Sequence, residues 1–336
     1  MPLHPFIAAE LAAAAAGSAT PYHELPIGQA RLQMKRAYAR QALVEPVEVC
    51  DIKVDGPAGA LPVRLYRTAE DPGSLPLTVF FHGSGFCALD LDTHDEICRR
   101  LALGSGTLVA SVDYRLAPEC PFPAAPDDCL AATRALSEHA GQWGADAERL
   151  TLAGDSAGAC LALVTALRLS QEAAAKPQAL LLWYPVTDHP NSRWPSYQRY
   201  ASGYGLTAAA MIWFWRHYLP DPVQADHPHA SPLRADDLQA LPPTWLMTAE
   251  YDVLHDEGQA LAHRLHQASV PVELHCARGL NHGFLKHAAR LPEAADAMHR
   301  ACAWLRQHQT NTELPHRRRF APIDRPAAFA QTGETR

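Results

Sequence analysis

Short runs of apolar, β-branched and aromatic residues alternate along the chain with longer stretches whose apolar positions recur every three or four residues. The first pattern suits strands and the second suits amphipathic helices. Strands are predicted at 47–54, 61–67, 77–82, 107–113, 149–153, 179–185, 244–249 and 271–276. Helices are predicted at 93–103, 124–140, 157–174, 254–269 and 293–308. The central runs TLVASV and ALLLWY are apolar on both faces, as strands of a parallel sheet covered by helices must be. A Gly-Pro-Ala-Gly turn joins the first two runs, which predicts an antiparallel hairpin at the sheet's leading edge. An α/β fold with a mixed, mostly parallel sheet follows.

Two segments break the alternation. Residues 1–45 precede the first strand and are largely Ala-rich helix. Residues 188–232 fall between two sheet strands and hold Trp194, Tyr204, Trp213, Phe214 and Trp215. A connection of that length is a candidate lid, the alternative being an ordinary crossover helix packed on the sheet. The expected organisation is therefore one domain over 1–311, capped by 1–45 and by the insertion 188–232, with a polar, Pro- and Arg-containing tail at 312–336.

Composition narrows the function. The chain has 336 residues, 48% hydrophobic and 19% charged, so wholesale disorder is excluded. A net charge of −7 argues against nucleic acid or an anionic membrane surface as the main partner. The eight cysteines form no C-x-x-C pair and read as scattered thiols of a reducing compartment. Residues 11–16 are apolar, but Met1 to Ala9 contain no Lys or Arg and Glu10 interrupts the run. A helix is expected there instead of an export signal, and a cytoplasmic protein with no membrane partner. No H-E-x-x-H, Cys/His ligand spacing or P-loop appears, so neither metal nor cofactor is expected, and His227-Pro-His229 reads as loop surface.

Gly154-Asp155-Ser156-Ala157-Gly158 fits G-x-S-x-G and lies between a predicted strand and a predicted helix. In that context the turn presents Ser156 as a nucleophile at a helix N-terminus, with the Ala157 amide facing an incoming oxyanion. A glycine-bounded turn with an idle serine is the alternative. A serine needs a base and an orienting acid, which in this arrangement follow in the order Asp or Glu, then His. Asp252 stands just past the strand at 244–249, with Glu250, Asp256 and Glu257 as competitors. His282 follows the last strand, with His275 and His287 as competitors. His275 would lie inside that strand, while His287 and Asp256 would sit in helices and face solvent. The Gly-rich run His82-Gly83-Ser84-Gly85-Phe86 follows the strand LTVFF, where backbone amides can turn toward an oxyanion.

These segments carry a resemblance. HGSGF, LDTHD, DYRLAPE, PFPAAPDD, GDSAG, AEYDVLHDEG and NHGF together resemble the hormone-sensitive-lipase-like family of α/β-hydrolases, in particular its bacterial GDSAG esterases. LDTHD and LLWY are similar to bacterial acetyl esterases. The resemblance implies an eight-stranded α/β-hydrolase sheet with helices on both faces and a helical cap. It also implies hydrolysis of short-chain carboxylic esters through an acyl-enzyme. It makes Ser156, Asp252 and His282 the catalytic residues and Gly83, Ser84, Gly85 and Ala157 the oxyanion donors. The chain departs from the family at Ser84, where a glycine is usual, and at Val253, where a proline is usual. An amidase or lactonase on the same triad stays open. So does a non-catalytic binding protein, although the family's plant gibberellin receptors lack the histidine that is present here. A small ester is the expected partner, and a homodimer is left open.

Overall fold

In the computed structural model the residues described are 1–17, 19–38, 47–68, 73–83, 85–172 and 176–310. Before the sheet lie α1 (Pro5–Ala16), a 3-10 turn at Tyr22–Glu24 and α2 (Ile27–Ala37). Next come β1 (Val47–Gly56), β2 (Gly59–Thr68), β3 (Leu75–Phe81), α3 (Asp95–Ser105), β4 (Leu108–Val112) and α4 (Ala124–Glu138). Then follow β5 (Ala145–Asp155), α5 (Ala157–Ser170) and β6 (Ala179–Trp183). The segment between β6 and β7 holds α6 (Pro195–Arg199), α7 (Ala208–Tyr218) and short 3-10 turns. The fold closes with β7 (Thr244–Tyr251), α8 (His255–Gln267), β8 (Val272–Asn281) and α9 (Pro292–Thr310).

The strands form one eight-stranded sheet in the order β1-β2-β4-β3-β5-β6-β7-β8. β1 and β2 make the predicted antiparallel hairpin, closing at Gly56 and Gly59, and β2 is antiparallel to β4. Every pairing from β4 to β8 is parallel. β3, β4 and β6 are buried at every position, which explains why their sequences do not alternate. Two apolar clusters cover the two faces. One includes Leu130 of α4, Leu161 of α5 and Leu261 of α8. The other includes Ile97 and Leu101 of α3, Leu305 of α9 and Ile7 of α1. Because β5, β7 and β8 run parallel, their carboxyl ends open on one edge of the sheet, the usual position for a site in such folds.

Candidate active site

The turn after β5 is built by close packing. A Cβ on Gly158 would stand 1.9 Å from the Phe81 carbonyl oxygen, and one on Gly154 would stand 2.4 Å from the Gly158 backbone. Only glycines let α5 start this close to β3 and β5. The chain between them is forced through φ 55°, ψ −122° at Ser156, far from ordinary backbone conformations. The Ser156 amide donates to the Trp183 carbonyl at 2.9 Å and its carbonyl accepts from the Val186 amide at 3.2 Å. The strained corner is thus held by the end of β6.

Three side chains from the ends of β5, β7 and β8 meet here. The Ser156 hydroxyl lies 2.9 Å from His282 Nε2, and His282 Nδ1 lies 2.7 Å from Asp252 Oδ2. The second Asp252 oxygen accepts from the Leu254 amide at 3.0 Å, and the carboxylate is buried. The Tyr184 ring stands edge-on to the imidazole, with centroids 4.8 Å apart.

The competing groups are engaged elsewhere. Glu250 accepts from the Gly279 amide and from the chain's amino terminus. Glu257 is fully buried and accepts from the Thr187 and Asp188 amides. His275 lies within β8, as expected. The expectation that His287 and Asp256 face solvent is corrected. His287 is buried against the ring of Phe6 and pairs with Glu10, because α1 packs over it. Asp256 accepts from the Ser196 amide, so α6 covers it.

The Gly-rich loop packs on the serine turn, for a Cβ on Gly83 would stand 2.4 Å from Asp155 Oδ2. Gly83 is also corrected: its N–H donates to Asp155 Oδ1 at 2.7 Å and is committed to that carboxylate. Ser84 lies outside the described residues. Gly85 has φ +56°, and a Cβ there would meet the Phe214 ring at 2.4 Å. Phe214 belongs to α7, and it packs on Tyr22 with centroids 5.8 Å apart, so the N-terminal segment and the β6–β7 insertion meet over this loop. Of the other amides expected to face an oxyanion, those of Gly85 and Ala157 lie within the described residues.

Asp155, the variable position of the serine motif, has a part that spacing alone did not reveal. Besides holding Gly83 it faces His94 Nε2 at 3.3 Å, an electrostatic contact without hydrogen-bond alignment. Burial by itself would raise the Asp155 carboxyl, but His94 and the Gly83 amide outweigh it and hold it below the usual range. His82 stacks on Tyr114 at 4.5 Å, and burial, reinforced by His94, pushes its imidazole down to about 3. His94 falls within LDTHD, where the side chains that meet it come from distant segments, so no local pattern marked it. Among the described residues, no group of three His, Cys, Asp or Glu side chains could hold a metal ion.

A family profile described as "alpha/beta hydrolase fold" matches residues 78–286. The chain is 41% identical over 278 residues to "Esterase LipI" of Mycobacterium tuberculosis, covering 82% of this chain and 86% of that one. It is 39% identical over 318 residues to "Ethyl acetate hydrolase" of Pseudomonas putida, covering 92% and 100%. The crystal structure of a thermostable esterase from Pseudomonas putida superposes with a TM-score of 0.88 at 33% identity, covering 92% and 98%. With the matched profile, this chain's eight-stranded sheet and these relatives in agreement, the chain belongs to the α/β-hydrolase family.

Proposed function

We propose that this carboxylic ester hydrolase works through Ser156 as nucleophile, His282 as general base and acid, and Asp252 as the carboxylate that orients and stabilises the imidazole. The observation that carries the reading is the unbroken line from Asp252 through His282 to Ser156, at 2.7 and 2.9 Å. His282 Nε2 takes the Ser156 proton as Oγ attacks the ester carbonyl, and the Nδ1 proton stays on the Asp252 side. The tetrahedral oxyanion then faces the amides of Gly85 and Ala157 at the positive end of α5. Collapse expels the alcohol, which receives the proton from His282. Water, activated by the same imidazole, releases the acid and restores the serine.

The substrate class we infer is short-chain acyl esters. Phe214 presses on Gly85 and packs with Tyr22 and Trp213, which supports a short acyl slot under a cap drawn from the described part of 1–45 and from 188–232. The names of two relatives, an ethyl acetate hydrolase and an acetyl esterase, support the same range. The eight cysteines are all free thiols, which supports a cytoplasmic location, and no helix among the described residues is long and apolar enough to cross a membrane. A p-nitrophenyl ester series from acetate to palmitate tests the reading, with a serine-reactive phosphonate as active-site label. Turnover should peak between acetate and butyrate, because each clashing methylene costs roughly 1–3 kcal/mol. The label should map to Ser156. A maximum at laurate or beyond, or a label on another residue, overturns it.

A further inference from the structure

Past Gly85 the chain continues through two more left-handed positions, Phe86 at φ 64° and Leu89 at φ 65°, both with side chains. Such backbone persists only where its surroundings hold it from several sides. The Phe86 carbonyl accepts from the Ala117 amide at 2.9 Å, and the Phe86 ring stacks on Tyr218 of α7 at 3.8 Å. The next carbonyl, of Cys87, accepts from Arg31 Nε at 2.7 Å. The same guanidinium donates from Nη2 to the Ala117 carbonyl at 3.0 Å, and its outer edge meets Glu119 at 2.8 and 2.5 Å. Arg31 belongs to α2, and one turn further along that helix Lys35 pairs with Asp90.

A planar fork with fixed donor directions is suited to joining two carbonyls. Here it ties the segment leaving Gly85 to the strap that already holds Phe86. The outer pair with Glu119 is more than half exposed on the carboxylate side and contributes little by itself. The carbonyl contacts are the inner, part-buried ones.

We propose that Arg31 is a positioning residue for acyl transfer: through the Cys87 and Ala117 carbonyls it sets where the Gly85 amide stands relative to the oxyanion. The rate of the reaction then depends on a side chain of α2 that touches no reacting atom. The proposal rests on the assignment of Ser156 and of the Gly85 amide made above. An oxyanion donor must sit within hydrogen-bond reach of an oxygen that exists only after attack, so a misplaced loop lowers kcat more than it weakens substrate binding.

Three variants, Arg31→Ala, Arg31→Lys and Glu119→Gln, are compared on p-nitrophenyl acetate. Arg31→Ala should lower kcat roughly ten- to a hundredfold with KM changed less than about threefold, since the lost interaction acts in the transition state. A trifluoromethyl ketone, whose serine adduct carries the oxyanion, should lose affinity by the same factor as kcat/KM. Guanidinium ion at a non-denaturing concentration should restore part of kcat in Arg31→Ala and leave the wild type unchanged. Arg31→Lys, with one ammonium for two carbonyls, should fall between, and it carries the test if the alanine variant does not fold. Glu119→Gln should match the wild type. An unchanged kcat in folded Arg31→Ala, a change confined to KM, or an equal loss in Glu119→Gln overturns the proposal. Failure of the underlying assignment is distinguishable, because it would appear as activity retained by Ser156→Ala in an otherwise unaltered chain.

Discussion

Ser156 holds a backbone conformation that costs a residue with a side chain on the order of 1–3 kcal/mol, and its hydroxyl meets the His282 imidazole. Strain and the proposed function coincide because the turn presents Oγ at the end of the sheet while the Trp183 and Val186 backbone fixes it. Ser156→Ala and His282→Ala should each lower kcat by several orders of magnitude, to similar levels, since members of such a unit are not additive. Asp252→Asn should lose roughly a thousand- to ten-thousandfold, because an amide that donates toward Nδ1 favours the wrong tautomer. Steady-state kinetics on the acetate ester checks all three, and the assignment fails if any retains about a tenth of wild-type turnover. That these three side chains would lie at the ends of strands was legible in the sequence, since each follows a predicted strand in the expected order, and the structure brings them together. The commitment of the Gly83 amide to Asp155 was not, because it depends on where a carboxylate from the next motif points.

At the scale of elements, the contact of α5 with β3 decides the geometry of the serine. α5 is apolar nearly all round and buried from Ala157 through Leu167, as a helix in the centre of the fold must be. Gly158 is where it touches the sheet, against the carbonyls of Phe81 and His82. Gly158→Ala should therefore destabilise the protein by about 3 kcal/mol or more, since backbone on both sides cannot yield as a side-chain tip can. Because the helix start must shift, kcat should also fall by roughly a hundredfold, the cost of about 1 Å of misplacement. Urea unfolding and kinetics on the same preparation check this, and wild-type stability would show that α5 can slide without strain. The strand and helix order was readable from periodicity, but the buried ends were less so. β5 extends from Ala145 to Asp155, well beyond its apolar run, because Ala145 and Asp146 pair with β3 before a register shift.

The whole molecule buries several imidazoles, and this sets its response to acid. Burial and His94 push His82 down to about 3, and burial with Lys286 and Arg290 pushes His287 down to about 4 even though Glu10 lies 3.2 Å away. Both groups have folded values below the unfolded value near 6.5, so the unfolded chain binds more protons below that pH. Stability is fully present above about pH 6.5 and is lost as pH falls toward 4 and then 3, by up to about 1.4 kcal/mol per unit for each group. Urea midpoints between pH 6.5 and 5, where ordinary carboxylates remain ionised, should fall in the wild type and fall less in His82→Gln. Equal slopes would show that His82 is not held neutral by its surroundings.

Sequence by itself determined the class of fold and the order of the strands along the chain, and it singled out Ser156, Asp252 and His282 as candidates, whose side chains meet in the structure. Each of these is written locally, in a hydrophobic period, a pair of glycines at fixed spacing, or a polar residue just beyond a strand. Tertiary structure decided the rest. It spent the Gly83 amide on Asp155, buried His287 under α1, covered Asp256 with α6 and carried Arg31 of α2 to the carbonyls beside the Gly-rich loop. Those outcomes join residues far apart in the chain. Periodicity records which face of an element is buried, but not which distant side chain arrives to bury it.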